Sequence, residues 1–118
     1  MKLVTLIYDN GIDEAVIEQI DALVRQVEDE HVRGWTRLCD VQGYGGQGYR
    51  RGDPVFPGTN NVLWVALPDE LVAEVWRRMR ALQASFRLKP GITILAQPVE
   101  VLGPEAPPAE APGSGNVV

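Results

Sequence analysis

The sequence predicts an α+β domain in which strands and helices follow the order β-α-β-β-α-β. Apolar residues recur at helical spacing in two segments, and short runs of β-favouring residues lie before and after each segment. The length of 118 residues also corresponds to about one domain. This order is the split βαβ, or ferredoxin-like, arrangement. We therefore expect a four-stranded antiparallel sheet with two helices on one face.

The first strand and the first helix are predicted within residues 3–34. Residues 3–8 form a short β-favouring run, and a turn signal (Asp-Asn-Gly, residues 9–11) follows it. From Ile12 the pattern becomes helical, and Gly34 ends the unit. The expected buried face of this helix consists of Val16, Ile20, Leu23, Val24 and Val27.

The second half repeats the pattern after a glycine-rich loop that runs to about Asn60. Its predicted elements are strands at residues 35–41, 61–67 and 92–96 (the last extended to about residue 102), and a helix from Pro68 to a break at residues 89–91. The expected buried face of this helix consists of Leu71, Val72, Val75, Trp76, Met79 and Leu82.

The tryptophans bear on how the sheet is covered. Trp64 and Trp76 are expected to be core residues. The sheet face away from the helices needs a cover if it is apolar, and Trp35 and Trp64 are candidates for that second buried face. Self-association would supply the cover, and the acidic segment 13–30 and the basic segment 77–89 could pair between subunits.

Composition limits the classes of function. The formal charge of −5 and a pI near 4.8 argue against general nucleic-acid binding. A single cysteine, Cys39, allows no internal disulfide. We expect a cytoplasmic protein without membrane insertion, because no signal peptide and no apolar run of about 20 residues is present. Residues 1–102 are the predicted domain, and residues 103–118, rich in Pro, Ala, Gly and Glu, are a predicted flexible tail.

The most informative segment is residues 43–52, in which five of ten residues are glycine. Long loops in compact domains are usually functional or disordered, and successive backbone N–H groups can cradle an anion. The segment is therefore a candidate ligand site, with a flexible hairpin tip as the alternative. Arg50, Arg51 and Lys89 are candidate phosphate or carboxylate contacts, with solvated surface cations as the alternative. The aromatic residues Tyr44, Tyr49 and Phe56 are candidate contacts to a partner protein, unless they fold back onto the domain.

Other chemistries find less support in the sequence. The spacing of Gly43, Gly45 and Gly48 matches a dinucleotide fingerprint, but no helix opens after it. His31 and Cys39 are too few for a closed metal site within one chain, although trimer symmetry could repeat them. No nucleophile–base pair appears, so we do not expect an enzyme.

Three short motifs resemble the nitrogen-regulatory PII superfamily. They are Gly34-Trp35-Thr36, the run from Asp40 to Gly48, and Arg51-Gly52, which are similar to the second strand and T-loop base of that family. The resemblance implies a cytoplasmic homotrimer with adenine nucleotides (ATP, ADP or AMP) in the clefts between subunits. It also implies a mobile loop that reports the bound state to a target protein, such as a transporter or an enzyme.

The resemblance also assigns residues. Gly43, Gly45 and Gln47 match loop-base positions that meet the phosphates, with Gln47 near a magnesium ion, and Thr36 matches a threonine near the base. The chain departs from the family in its shorter loop. It also lacks the Thr-Gly-x-x-Gly-Asp-Gly-Lys element before the last strand and has only Lys89-Pro90-Gly91 in its place. The arginines expected after the last strand are missing as well.

The leading hypothesis is therefore a PII-like signalling protein that binds a small anionic ligand, most plausibly an adenine nucleotide, and controls a partner through the glycine loop. The alternatives are a metal-binding or metal-responsive trimer of the same fold and a structural oligomer without a ligand.

Overall fold

A computed structural model describes residues 1–30, 33–45, 48–50 and 58–104, with the backbone alone described at 45 and 48–50. The elements are β1 (Lys2–Asp9), a 3-10 turn (Asn10–Ile12), α1 (Asp13–Val24), β2 (Trp35–Val41), β3 (Gly43–Gly45), β4 (Gly48–Arg50), β5 (Asn60–Leu67), α2 (Asp69–Ser85) and β6 (Ile92–Pro98).

Four strands form one antiparallel sheet in the order β2-β5-β1-β6, with α1 and α2 on one face. This confirms the predicted ferredoxin-like fold class. The glycine segment differs from the prediction, because part of it is not loop. β3 and β4 pair as a separate antiparallel ribbon, which we call the glycine ribbon, with Gly43 opposite Arg50 and Tyr44 opposite Tyr49.

The core lies between the two helices and the sheet face that they cover. Alternate residues of β1 and β5 are buried there, as the two-residue period of a strand requires. The expected face of α1 is confirmed, and Val27 is buried although α1 ends at Val24. The fully buried side chains are Val4, Leu6, Tyr8, Val16, Ile20, Leu23, Leu63, Val65, Leu67, Val75 and Met79.

Two tryptophans do not lie where the sequence predicts. Trp76 is 55% exposed on α2, so its assignment to the core was wrong. Trp35 pairs with buried Val65 and therefore lies on the face that the helices cover, where its Nε1–H donates to Asp21 Oδ1 at 2.6 Å. Trp64 does lie on the opposite face, which we call the open face, and is partly buried there.

The open face carries a row of side chains across all four strands. Thr36, Trp64, Thr5 and Leu95 lie in this row because each is paired with the next. Leu95 is half exposed. The chain after β6 begins to cross one end of the sheet, where the Val99 N–H donates to the Met1 carbonyl.

Several predictions lie at or beyond the limits of the described residues. His31, Gln47, Arg51, Phe56 and residues 105–118 lie outside them, so only the first two residues of the predicted tail are described. None of the helices described is long and apolar enough to cross a membrane.

Candidate ligand-binding site

The base of the glycine ribbon is set by an irregularity in β2. The pairing of β2 with β5 shifts between Leu38 and Val41, and Asp40 within that shift has φ of +57°. Aspartate tolerates this left-handed conformation better than most residues. An irregularity of this kind bends an edge strand, and β3 begins three residues after Asp40.

Asp40 holds both ends of the segment that carries the ribbon. Its Oδ1 accepts hydrogen bonds from Asn10 Nδ2 at 3.0 Å and from Thr59 Oγ1 at 3.1 Å. Asn10 Nδ2 also donates to Thr59 Oγ1 at 2.7 Å, and the Asn10 N–H donates to the Thr59 carbonyl at 3.1 Å. The three side chains therefore form a closed triangle of hydrogen bonds.

A second group of polar side chains continues from this triangle into the core. The Asp40 N–H donates to Asn61 Oδ1 at 3.0 Å, and Asn61 Nδ2 donates to Asp13 Oδ1 at 2.8 Å. The same Asp13 oxygen accepts the Tyr8 hydroxyl at 2.7 Å, and its other oxygen pairs with Arg37. Burial, together with the hydrogen bond to the Asp13 carboxylate, raises the pKa of Tyr8 well above its ordinary value.

Gly43 packs closely against β5 at the start of the ribbon. A Cβ atom added at Gly43 would lie 2.7 Å from Asn60 Nδ2, which is closer than real Cβ atoms come to other heavy atoms. Any larger residue would force the Asn60 side chain to move. Because Asn60 Nδ2 is the far end of a flexible side chain, that movement would cost little, and the close approach alone does not require glycine here.

A hollow of about 440 Å³ opens around Thr36 on the open face. We call it the Thr36 hollow. Trp64 contributes an aromatic surface, and Arg33 lies at its edge, held by hydrogen bonds to the Val27 and Glu28 carbonyls. The residues that line it are Leu3, Arg33, Gly34, Trp35, Thr36, Trp64, Ala66 and Val101.

The Thr36 hollow and Gly43 lie along one edge of the sheet. Thr36 pairs with Trp64, while Gly43 contacts Asn60, four residues earlier on β5. At about 3.3 Å per residue, these points are roughly 13 Å apart. An extended molecule with an aromatic end and an anionic end could contact both.

Lys89 lies at the opposite edge of the sheet. It precedes β6, is exposed and has φ of +24°. Three strand spacings separate β2 from β6, and at about 4.8 Å each they amount to roughly 14 Å. Lys89 and Thr36 could therefore contact one ligand end only if they came from two copies of the chain.

The remaining predicted residues are placed as follows. The Tyr44 side chain is 75% exposed. The backbones of Gly45, Tyr49 and Arg50 lie in the ribbon, and Gln47, Arg51 and Phe56 lie outside the described residues. Cys39 is exposed on β2, and the part of the chain that is described contains no group of three or more metal-ligating side chains.

Sequence reasoning missed the polar side chains beneath the ribbon. The described members of this network are Tyr8, Asn10, Asp13, Arg37, Asp40, Thr59 and Asn61. The available signal was the unusual density of Asn, Asp and Thr at the ends of predicted strands, where apolar residues would extend the pairing.

Comparison with known proteins gave matches among solved structures only. A scan against protein-family models found no matching family, and a search of curated proteins found no match.

Solved structures do match. CPII, a nitrogen-regulatory PII-like protein from Thiomonas intermedia K12 bound to ADP, AMP and bicarbonate, matches with a TM-score of 0.58 and 16% identity, over 81% of this chain and 84% of that one. A DUF3240 family protein from Shewanella baltica matches with a TM-score of 0.58 and 16% identity, over 86% and 92%. A PII-like signalling protein from Thermus thermophilus matches with a TM-score of 0.52 and 17% identity, over 81% and 83%.

These matches extend over most of each chain, and the motifs in residues 34–52 had pointed to the same group of proteins. The chain therefore has the fold of the PII-like proteins, and the resemblance seen in its sequence is confirmed at the level of the fold.

Proposed function

We propose that this chain is a PII-like regulatory protein whose homotrimer binds an adenine nucleotide between subunits and controls a partner protein through the glycine ribbon. The observation that carries the proposal is the position of the Thr36 hollow. It opens beside β2, the strand that leads directly into the ribbon, so a ligand in the hollow would lie next to the segment that it must influence.

The chemistry of this edge suits a nucleotide. The Trp64 indole offers a flat apolar surface for a purine, and base–aromatic stacking contributes about 1–3 kcal/mol in nucleic-acid complexes. The Thr36 hydroxyl can donate to or accept from the base. The phosphates would extend roughly 13 Å along β5 to the backbone N–H groups near Gly43 and Gly45, where Arg50 and Arg51 would add positive charge.

A second subunit completes the site. Lys89 would reach the phosphates only from a neighbouring copy, because it lies at the far edge of its own sheet. The open face supplies a surface for such an assembly, since Leu38 and Leu95 are both 52% exposed on it. Burial of these apolar side chains between copies would stabilise the assembly.

The choice of adenine nucleotides rests on the sequence motifs and on the matched protein from Thiomonas intermedia, which binds ADP and AMP. ATP, ADP and AMP are all candidates for this chain. A magnesium ion would join the phosphates near Gln47, as the family resemblance implies.

The proposed mechanism is a shift between loop states and does not involve bond making. The nucleotide would order the ribbon and the segment that continues to Thr59, and this segment would then engage or release a cytoplasmic target, a transporter or an enzyme. Tyr44 is the described side chain best placed for this contact, because it is 75% exposed, and Tyr49 and Phe56 are its proposed companions.

Calorimetric titration of ATP, ADP and AMP tests the proposal. Wild type should bind at least one of them, and Gly45→Val should abolish binding while the domain stays folded, because Gly45 lies in the ribbon and not in the core. The pair Arg50→Ala and Arg51→Ala should weaken binding and reduce its dependence on salt.

The pair Arg77→Ala and Arg87→Ala removes the same charge from exposed positions that are not proposed ligand contacts, and it serves as the matched control once light scattering shows that its assembly equals that of wild type. If wild type gives neither heat nor a thermal shift with any nucleotide at millimolar concentration, the nucleotide proposal is wrong. Titration with divalent metals, using His31→Ala and Cys39→Ala variants, would then test the metal alternative.

A further inference from the structure

We propose that Asp40, Asn10 and Thr59 act together as a latch that fixes the base of the glycine ribbon and so sets the geometry of the ligand site. We call these three residues the Asp40 latch. Asp40 is a positioning residue, because no ligand contact is assigned to it. The effect on ligand affinity rests on the proposed function, whereas the effect on the ribbon does not.

The latch joins the two ends of residues 41–58, the segment that contains the glycine ribbon. Asp40 precedes this segment and Thr59 follows it, and their side chains are hydrogen-bonded at 3.1 Å. Asn10, from the turn after β1, donates to both. Asn10 lies outside residues 41–58. Separation of Asp40 from Thr59 would therefore also break the hydrogen bonds that join these two residues to Asn10.

Asp40 does two separable things in this arrangement. Its backbone adopts φ of +57°, which produces the irregularity in β2, and its carboxylate accepts the two side-chain hydrogen bonds. Asparagine can do both, because it tolerates the left-handed conformation and retains an acceptor oxygen. Glycine keeps only the conformation, and alanine keeps neither.

The latch is connected to the partly buried hydrogen-bond network beneath the ribbon. The Asp40 N–H donates to Asn61, which is 3% exposed, and Asn61 donates to Asp13. Asp13 is also held by Tyr8 and Arg37. Asp40 and Asn10 are themselves exposed, whereas the hydrogen bonds through Asn61 are partly shielded from water and therefore cost more to break. We therefore expect movement of the ribbon to begin beyond Asp40, with the latch as its fixed point.

Pinning the base affects ligand binding through preorganisation. A ribbon held in place loses less conformational freedom when a ligand orders it, and the affinity rises accordingly. Release of the latch should therefore weaken nucleotide binding although every proposed contact residue is still present.

Residue-resolved amide exchange, measured by NMR on the full chain, tests the latch directly. In Asp40→Gly, exchange at Asn10, Gly43 and Arg50 should accelerate at least tenfold, and in Asp40→Asn it should stay within about threefold of wild type. The Leu6 amide in the core strand should be unchanged in both. Asp40→Ala should behave as Asp40→Gly and also lower the melting temperature.

Asp21→Ala is the matched control. Asp21 also uses a carboxylate to hold a β2 side chain, since it accepts the Trp35 indole N–H, but it lies away from the ribbon. This variant should leave ribbon exchange unchanged. Unaltered ribbon exchange in Asp40→Gly, or equal acceleration at Leu6, would overturn the latch. Ribbon exchange that is as fast in Asp40→Asn as in Asp40→Gly would also overturn the latch.

Nucleotide titration forms the second arm. For whichever nucleotide binds wild type, Asp40→Gly should weaken the affinity about tenfold, and Asp40→Asn should stay within threefold. Unchanged affinity in Asp40→Gly would refute the link to the ligand site. If wild type binds no nucleotide, the proposed function fails, while the exchange measurements still decide whether the latch exists.

Discussion

Replacement of Tyr8 by phenylalanine tests the network beneath the ribbon most directly. The Tyr8 side chain is 1% exposed, and its hydroxyl donates to Asp13 Oδ1 at 2.7 Å. Phenylalanine retains the ring and its packing but removes the donor. The variant therefore measures one hydrogen bond to a carboxylate whose side chain is only 17% exposed.

The structure sets the expected magnitude. Hydrogen bonds to charged groups contribute about 1.5–3 kcal/mol. Asp13 keeps Asn61 and Arg37 as donors, so its charge is not left unpaired, and the loss should lie in the lower part of that range. We expect the free energy of unfolding to fall by about 2 kcal/mol, which corresponds to roughly 8 °C in melting temperature for a domain of this size.

The pH dependence gives a second, independent signature. Burial and the hydrogen bond to Asp13 raise the pKa of Tyr8, so the folded protein keeps this proton at a pH where the unfolded chain loses it. The stabilisation is complete below the ordinary tyrosine pKa of about 10 and declines as the pH rises above it. Between pH 10 and pH 11 wild type should lose about 1 kcal/mol more than Tyr8→Phe.

Urea denaturation at pH 7, 10 and 11, followed by tryptophan fluorescence, measures both effects. The advantage of wild type over the variant should be about 2 kcal/mol at pH 7 and should narrow by roughly 1.4 kcal/mol, or about two thirds, at pH 11. Equal stability at pH 7 would show that the hydrogen bond contributes nothing. A difference that is constant across the pH range would show that Tyr8 titrates alike in the folded and unfolded states.

Three further predictions concern the open face, the residues after β6, and the side chains of Met79 and Trp76 on α2. Light scattering should give about three times the 13.0 kDa chain mass, and Leu95→Glu on the open face should give monomers while Trp76→Glu on α2 does not. Deletion of residues 105–118 should leave the melting temperature nearly unchanged, whereas deletion from residue 99 should lower it, because Val99 bonds to Met1 and Val101 lines the Thr36 hollow. Met79→Ala in the core should cost about 3 kcal/mol, and Trp76→Ala less than about 1 kcal/mol, in thermal or urea denaturation.

The fold was predictable because local periodicity is strong in this chain. The apolar residues of α1 recur at a spacing that permits no strand, and β5 alternates buried and less buried residues along its whole length. The element order and the antiparallel sheet follow from these patterns. The pairing of β3 with β4 in the glycine ribbon was harder to predict, since glycine carries little pairing preference of its own.

The two errors with tryptophan have different physical causes. Trp76 follows buried Val75 and is rotated about 100° from it around α2, which places it on the flank shared with Arg80. The hydrophobic side chain of Trp76 favours burial, but its position around the axis of α2 leaves it exposed. Trp35 depended on strand pairing, because a shift of one residue moves every side chain of a strand to the other face, and pairing with Val65 was not visible in the sequence.

The candidate site was predictable only where it is local. The motif residues Thr36 and Gly43 could be chosen from a short stretch of sequence. The polar network could not, because it joins residues far apart in the chain: Asp13 and Asn61 are 48 positions apart, and Asn10 and Thr59 are 49. Such contacts depend on the final sheet register, which local patterns do not encode.

Strand order would connect the proposed assembly to the proposed ligand binding. Thr36 and Lys89 stand at opposite edges of one sheet, so a ligand that lies along the β2 edge would meet Lys89 only from a second copy arranged head to tail. Contacts of this kind close into a ring when the rotation between copies allows it. Because such a ring would also cover the open face, Leu95→Glu should abolish nucleotide binding along with assembly, although Leu95 lies on β6, away from the Thr36 hollow. A monomeric Leu95→Glu protein that still binds nucleotide at full affinity would show that one chain contains the whole site, and the role given to Lys89 would then be wrong.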